Sequence, residues 1–149
     1  MKLEDEIKQV RFESVYHKLV LNLMYTGNWI NAHSARWLKT YGLSNQQYNI
    51  LRILRGQHPN PATVQLIKER MLDKMSNVSR LVEKLRLKGL VERHTCPTDR
   101  RAVDVLITQE GLALLAEIDD AYPGVLEELK ILDEDDADWL NALLDRLRG

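Results

Sequence analysis

At Gly89 the apolar period of this chain changes from 3.6 residues to 2, and that switch limits the folds open to it. Upstream, Val78, Leu81, Val82 and Leu85 stand at i, i+3, i+4 and i+7, the stripe of a helix over about residues 74–88. Downstream, Leu90-Val91-Glu92-Arg93-His94 and Ala102-Val103-Asp104-Val105-Leu106-Ile107 alternate as strands do. The segment between them, from Thr95 to Arg101, carries turn residues and two arginines. The pattern predicts an amphipathic helix followed at once by a hairpin with a basic tip.

Other helices surround this unit. Val10, Tyr16, Leu19, Val20, Leu23 and Met24 predict one long helix over residues 4–40, with Gly27 as a possible kink and Gly42 as its C-terminal cap. Ser44 with Gln47 three residues on is a capping box, and it opens a helix that ends at Gly56. After His58-Pro59, Asn60 and Pro61 suit the start of a short helix reaching about Arg70. Asp73 suits the N-cap of the helix that follows. Past the hairpin, Leu112, Leu115, Ile118 and Tyr122 share a stripe that Pro123-Gly124 is expected to interrupt. Asp133 to Asp136 then open a last helix whose apolar face is Trp139, Leu140, Leu143, Leu144 and Leu147.

The 149 residues suffice for one compact unit with a core. The net charge of -1 conceals a segregation. Residues 68–101 hold 10 Lys/Arg against 5 Asp/Glu, whereas residues 102–149 hold 3 against 13. Basic charge gathered on one element supplies the counterion-release part of DNA binding. No apolar run is long enough to span a membrane, and the acidic N-terminus lacks the apolar stretch of a secretory leader. One cysteine, Cys96, excludes an internal disulfide and fits a reducing cytoplasm. Arg93 or His94 nearby would favour its thiolate; an inert small residue is the plainer reading. His17, His33, His58 and His94 form no compact metal motif. No cofactor motif, phosphate loop or nucleophile elbow is present, so no enzyme is expected.

The helix at 74–88 turns Ser76, Asn77, Ser79, Arg80 and Lys84 away from its apolar stripe. Small polar and basic side chains can approach base edges in a major groove, and Arg100 and Arg101 at a hairpin tip can enter a minor groove or grip phosphate. A solvated surface face reads the same way for the helix alone. Asp99 beside the arginines would turn back and pair with one of them. Along the first helix, Tyr25, Trp29, His33 and Trp37 follow at four-residue steps, as either a pocket wall or a packing ridge.

Three stretches carry a family likeness: Asn77 to Leu85, Lys88-Gly89-Leu90-Val91-Glu92-Arg93, and Thr98-Asp99-Arg100-Arg101 through Leu106-Ile107-Thr108-Gln109-Glu110-Gly111. They resemble the recognition helix, "KGLVER" strand, "DRR" wing and "LTxxG" helix start of the MarR family, with Ile107 where leucine is usual. The segment from Arg70 to Lys74 departs from the usual turn and bears on the role of Lys74. The resemblance implies a mainly α fold with a small β-hairpin wing. It implies a winged helix-turn-helix over residues 44–108 between dimerisation helices at 1–43 and 109–149. It also implies a homodimer that binds double-stranded DNA at an inverted repeat, as a repressor released by a small ligand. Ser76, Asn77, Ser79 and Arg80 would meet the major groove, Lys74, Lys84 and Arg101 would bind DNA with them, Arg100 would be the wing-tip contact, and Asp99 with Arg101 would brace the wing. Tyr25, Trp29, His33 and Trp37 would line a pocket for an aromatic or phenolic ligand. The alternative is a winged-helix protein-interaction module without sequence-specific DNA binding.

Overall fold

A computed structural model describes the chain except residues 96, 100, 101, 128 and 129 and the side chains of 123–126. Cys96, Arg100 and Arg101 therefore lie outside the described residues. The elements run α1 (Leu3–Ile7), α2 (Val15–Lys39), α3 (Asn45–Gln57), β1 (Ala62–Thr63) and α4 (Val64–Arg70). They continue with α5 (Val78–Leu87), β2 (Val91–Thr95), β3 (Val103–Ile107), α6 (Gln109–Glu127) and α7 (Glu134–Arg148).

The first helix is not the single rod its apolar pattern predicts. Lys8 adopts a left-handed φ of 55° and ends α1, and Ser14 caps α2 by accepting a hydrogen bond from the His17 amide. Val10 between them is exposed, so no packing holds that stretch helical. Lys18 and Glu4 tie α1 back onto α2 by an ion pair. From Val15 the helix continues past Gly27 for 25 residues. It stops where Gly42, at φ 70°, turns the chain into the Ser44 capping box.

Helix α3 is the hub. It packs on α2, α4, α5, α6 and β3, and its Ile50, Leu51 and Leu54 are buried. Ile67 of α4, Val78, Val82 and Leu85 of α5, Val105 of β3 and Leu115 and Ile118 of α6 close the core around them. Each such side chain contributes about 1.5–3 kcal/mol on burial.

The hairpin is part of a three-stranded antiparallel sheet of order β1-β3-β2, with Val91 opposite Ile107 and Ala62 opposite Val105. β1 is two residues long, too short for alternation to reveal it. It moves the start of α4 as well. The cap is Thr63, whose hydroxyl accepts from the Leu66 amide, rather than Asn60. In α6 the helix runs through Pro123-Gly124 to Glu127, where an interruption was expected.

Helix α7 buries no residue, and Trp139, Leu140 and Leu147 on its apolar face are exposed. Val15, Tyr16, Leu19, Val20 and Met24 of α2 are exposed too. Leu19 and Leu23 join Leu140, Leu143, Leu144 and Leu147 around a groove of about 340 Å³. A single chain thus leaves much of its terminal helices' hydrocarbon against water.

Candidate functional site

Helix α5 begins later than the spacing from Asp73 suggests. Its N-cap is Asn77, whose Oδ1 accepts from the Arg80 amide at 3.1 Å. Asp73 serves a separate turn, accepting from the Met75 amide at 3.0 Å, while the Ser76 amide donates to its carbonyl. That Met75 hydrogen bond, with Gln46 adding to it, holds the Asp73 carboxyl below its ordinary range, while Ser76 Oγ is buried without a hydrogen-bond partner among the described residues. The helix starts at Val78, whose side chain is buried directly after the Asn77 cap. Lys74, Ser76 and Asn77 therefore precede the helix instead of forming its first turn. Lys74 Nζ donates to the Glu69 carbonyl, 2.6 Å away.

Arg80 and Lys84, four residues apart, are exposed and make no ion pair among the described residues. Arg86 and Arg93 are committed elsewhere. Both reach Glu83, at 2.8 and 3.2 Å, and hold its carboxyl down to about 2, Arg86 with the larger effect. The cluster fixes the last turn of α5 to β2. Two kinds of basic residue thus separate on one helix: Arg86 is structural, while Arg80, Lys84 and the neighbouring Ser79 face outward.

The Asn77 cap gives the site a separable test. Asn77→Ala is expected to cost about 0.5–2 kcal/mol of stability. Asn77→Ser keeps a capping oxygen without adding charge, so a thermal melt should recover. A melt as low as that of Asn77→Ala would mean that the cap is not what this side chain supplies.

The wing is held from its base. Thr108 Oγ1 donates to the Gly89 carbonyl at 2.7 Å and accepts from the Gly111 amide at 3.1 Å, so one hydroxyl starts α6 and pins β2 beside it. Gly89, at φ 73°, supplies the left-handed turn between α5 and that strand. At the tip, the Asp99 carbonyl accepts from the Ala102 amide, 3.0 Å away. A feature the apolar pattern does not reveal is Met75, 92 % exposed between Lys74 and Ser76. A thioether there can meet a thymine methyl. Its only sequence signal is a large apolar residue that belongs to no stripe.

The aromatic ladder of α2 divides. Tyr25 donates to Glu6 at 2.6 Å, which pushes its phenol up and fastens α1. Trp29 and His33 stack with ring centroids 5.9 Å apart. Trp37 lines a cavity of about 420 Å³ between α2, α3 and α6, whose described lining does not include Tyr25, Trp29 or His33. It meets Tyr122 at 5.8 Å and Tyr48 at 6.3 Å between centroids. Arg52 donates to the Tyr48 hydroxyl at 2.9 Å and is the one charged side chain on this wall among the described residues. Tyr48 and Arg52 share a face of α3 four residues apart, the signal that sequence reasoning passed over.

A helix with an outward polar and basic face, packed across a core from α3 and followed by a pinned hairpin, defines a winged helix-turn-helix protein. Residues 41–102 match the family model described as the MarR family. The crystal structure of a MarR transcription factor from Planctomyces limnophilus is 32% identical over 91% of this chain and 98% of that one, with a TM-score of 0.71. The HTH-type transcriptional regulator MhqR of Bacillus subtilis strain 168 is 28% identical over 87% of this chain and 89% of its own. BpsR of Bordetella bronchiseptica, whose DNA binding 6-hydroxynicotinic acid regulates, shares the fold. Its TM-score is 0.78 at 20% identity, over 89% of this chain and 99% of that one. The chain belongs to the MarR family and is a transcriptional regulator.

Proposed function

We propose that this regulator is a homodimeric repressor that binds an inverted-repeat operator and leaves it when an aromatic or phenolic ligand fills the cavity beside Trp37. The observation that carries the reading is the pairing of an outward Arg80–Lys84 face, without ion pairs among the described residues, with apolar α2 and α7 surfaces that one chain leaves uncovered. A second chain covers those surfaces and brings a second α5 into register with the next turn of the same groove. In that assembly residues 1–43 and 109–149 make the dimer, and 44–108 meet the DNA. The acidic C-terminal third stays on the side away from phosphate.

Ser79 and Arg80 read base edges, Lys74, Ser76, Asn77 and Lys84 position the helix, and Arg100 at the wing tip grips the DNA beside it, with Asp99 and Arg101 as its brace. The ligand enters between the dimerisation helices and α3, with its ring against Trp37, Tyr48 and Tyr122 and its acidic oxygen toward Arg52. The ligand control of BpsR supports this part.

Fluorescence anisotropy with cognate and random duplexes tests the reading. Arg80→Ala is expected to lose about 1–3 kcal/mol on the cognate duplex and little on the random one, as for a base contact. Equal losses on both would make Arg80 a phosphate contact. Arg100→Ala is expected to weaken binding broadly and to lower the slope of log affinity against log salt by about one. An unchanged slope would remove the wing from the interface. A homodimer that binds neither duplex, with or without an aromatic acid present, would contradict the proposal.

A further inference from the structure

The cavity beside Trp37 does not end at its aromatic wall. Asn31, Asn45, Asn49 and Leu72 line it and also line a second cavity of about 440 Å³, which Gln46, Met71 and Asp73 complete. The two compartments differ in chemistry. The first presents Trp37, Tyr48, Tyr122 and the cation Arg52. The second presents no aromatic ring and no cation, but four carboxamides and a carboxylate.

One acceptor in its lining is buried and unpaired among the described residues. Asn45 Nδ2 donates to the Asn31 carbonyl at 2.9 Å, while Asn45 Oδ1 is buried without a hydrogen-bond partner among the described residues. A buried acceptor left unpaired costs free energy that a ligand donor would recover. The far wall is the turn that leads into α5. Asn49 Oδ1 accepts from the Leu72 amide at 2.9 Å, and Gln46 Nε2 reaches Asp73 at 3.5 Å. Asp73 in turn holds Met75, two residues before the Asn77 cap.

We propose that this carboxamide compartment is a second ligand subsite, and that the effector is bipartite: an aromatic ring carrying, on a short tail, an amide N–H or hydroxyl that donates to Asn45 Oδ1. The inference rests on the reading of the aromatic cavity as the effector site. It adds a route for control. A tail donor on Asn45 Oδ1 sits beside Asn49, whose Oδ1 holds the Leu72 amide, and so couples the ligand to the turn that positions Ser76 and Asn77. Asn49 and Gln46 are positioning residues in this scheme, and Asn45 is the contact.

Calorimetric titration of the full chain with three phenols tests it: 4-hydroxyphenylacetamide, N-acetyltyramine with its longer reach, and 4-isobutylphenol, a hydrocarbon isostere of the first. Asn45→Leu is expected to weaken both amides about 3- to 10-fold, the worth of one net hydrogen bond, and to leave 4-isobutylphenol within about twofold by the same principle, since it has no tail donor. Asn45→Asp keeps an acceptor at this position and is expected to retain amide binding. Trp37→Ala should weaken all three. If the three phenols bind and Asn45→Leu moves them alike, or moves none, the second subsite is wrong while the aromatic cavity stands. If none of the three binds the unaltered chain, the cavity reading fails and the subsite fails with it.

Discussion

A chain carrying Leu140→Glu and Leu147→Glu is expected to sediment as a 17.3-kDa monomer and to lose about 10²–10⁴-fold in affinity for its operator. Both leucines are exposed in the single chain, at 42 % and 59 %, so the subunit's own core does not need them. Placed in an apolar interface, each carboxylate would be buried without a partner, which costs about 3–5 kcal/mol where a charge is left uncompensated. The loss at the operator follows from geometry. One winged helix reads one half-site, and joining two makes the second contact intramolecular. Weak binding to random DNA should survive, because Arg80 and Lys84 are untouched. A variant that remains dimeric and binds the operator normally would place the interface elsewhere.

The second large effect is on stability. Gly111 lies in the first turn of α6, and a Cβ there would collide with the Leu90 carbonyl and approach Ile107 Cγ1 to 2.7 Å. The carbonyl cannot step aside, because it accepts the Thr108 amide at 3.1 Å. Gly111→Ala is therefore expected to destabilise the chain by about 1–3 kcal/mol or somewhat more, as overpacking does. At fixed protein concentration the melting temperature should fall by roughly 2–4 °C for each kcal/mol. The wing should loosen before the core, since the contact joins Leu90, at the foot of β2, to α6. A melt unchanged within error would mean that α6 does not approach β2 so closely.

Much of this architecture is legible in the residues because local signals and burial agree. Ser44 and Gln47 announce the start of α3, and both capping hydrogen bonds form. The α5 stripe of Val78, Val82 and Leu85 enters the core, as its spacing predicts. Where two local signals compete, only tertiary packing decides. Asp73 and Asn77 are both good N-caps, and the burial of Val78 selects the second. Asn60 loses to Thr63 because β1 must pair with β3 before α4 can begin. The α1–α2 break is hidden because Val10 keeps an apolar period while it lies exposed to solvent. The cavity was the least readable feature. Trp37, Arg52 and Tyr122 are 85 positions apart at the extremes, and no spacing rule joins three elements around an empty volume.

The most direct test of a dimeric, sequence-reading regulator is selection of genomic fragments by the purified protein at physiological salt, followed by sequencing. The expected result is a pseudo-palindrome of about 15–20 base pairs with half-sites one helical turn apart, as two recognition helices on a two-fold axis require. Recovery of only salt-labile, sequence-independent binding from a well-folded dimer would contradict the account and favour a winged-helix module that binds another protein.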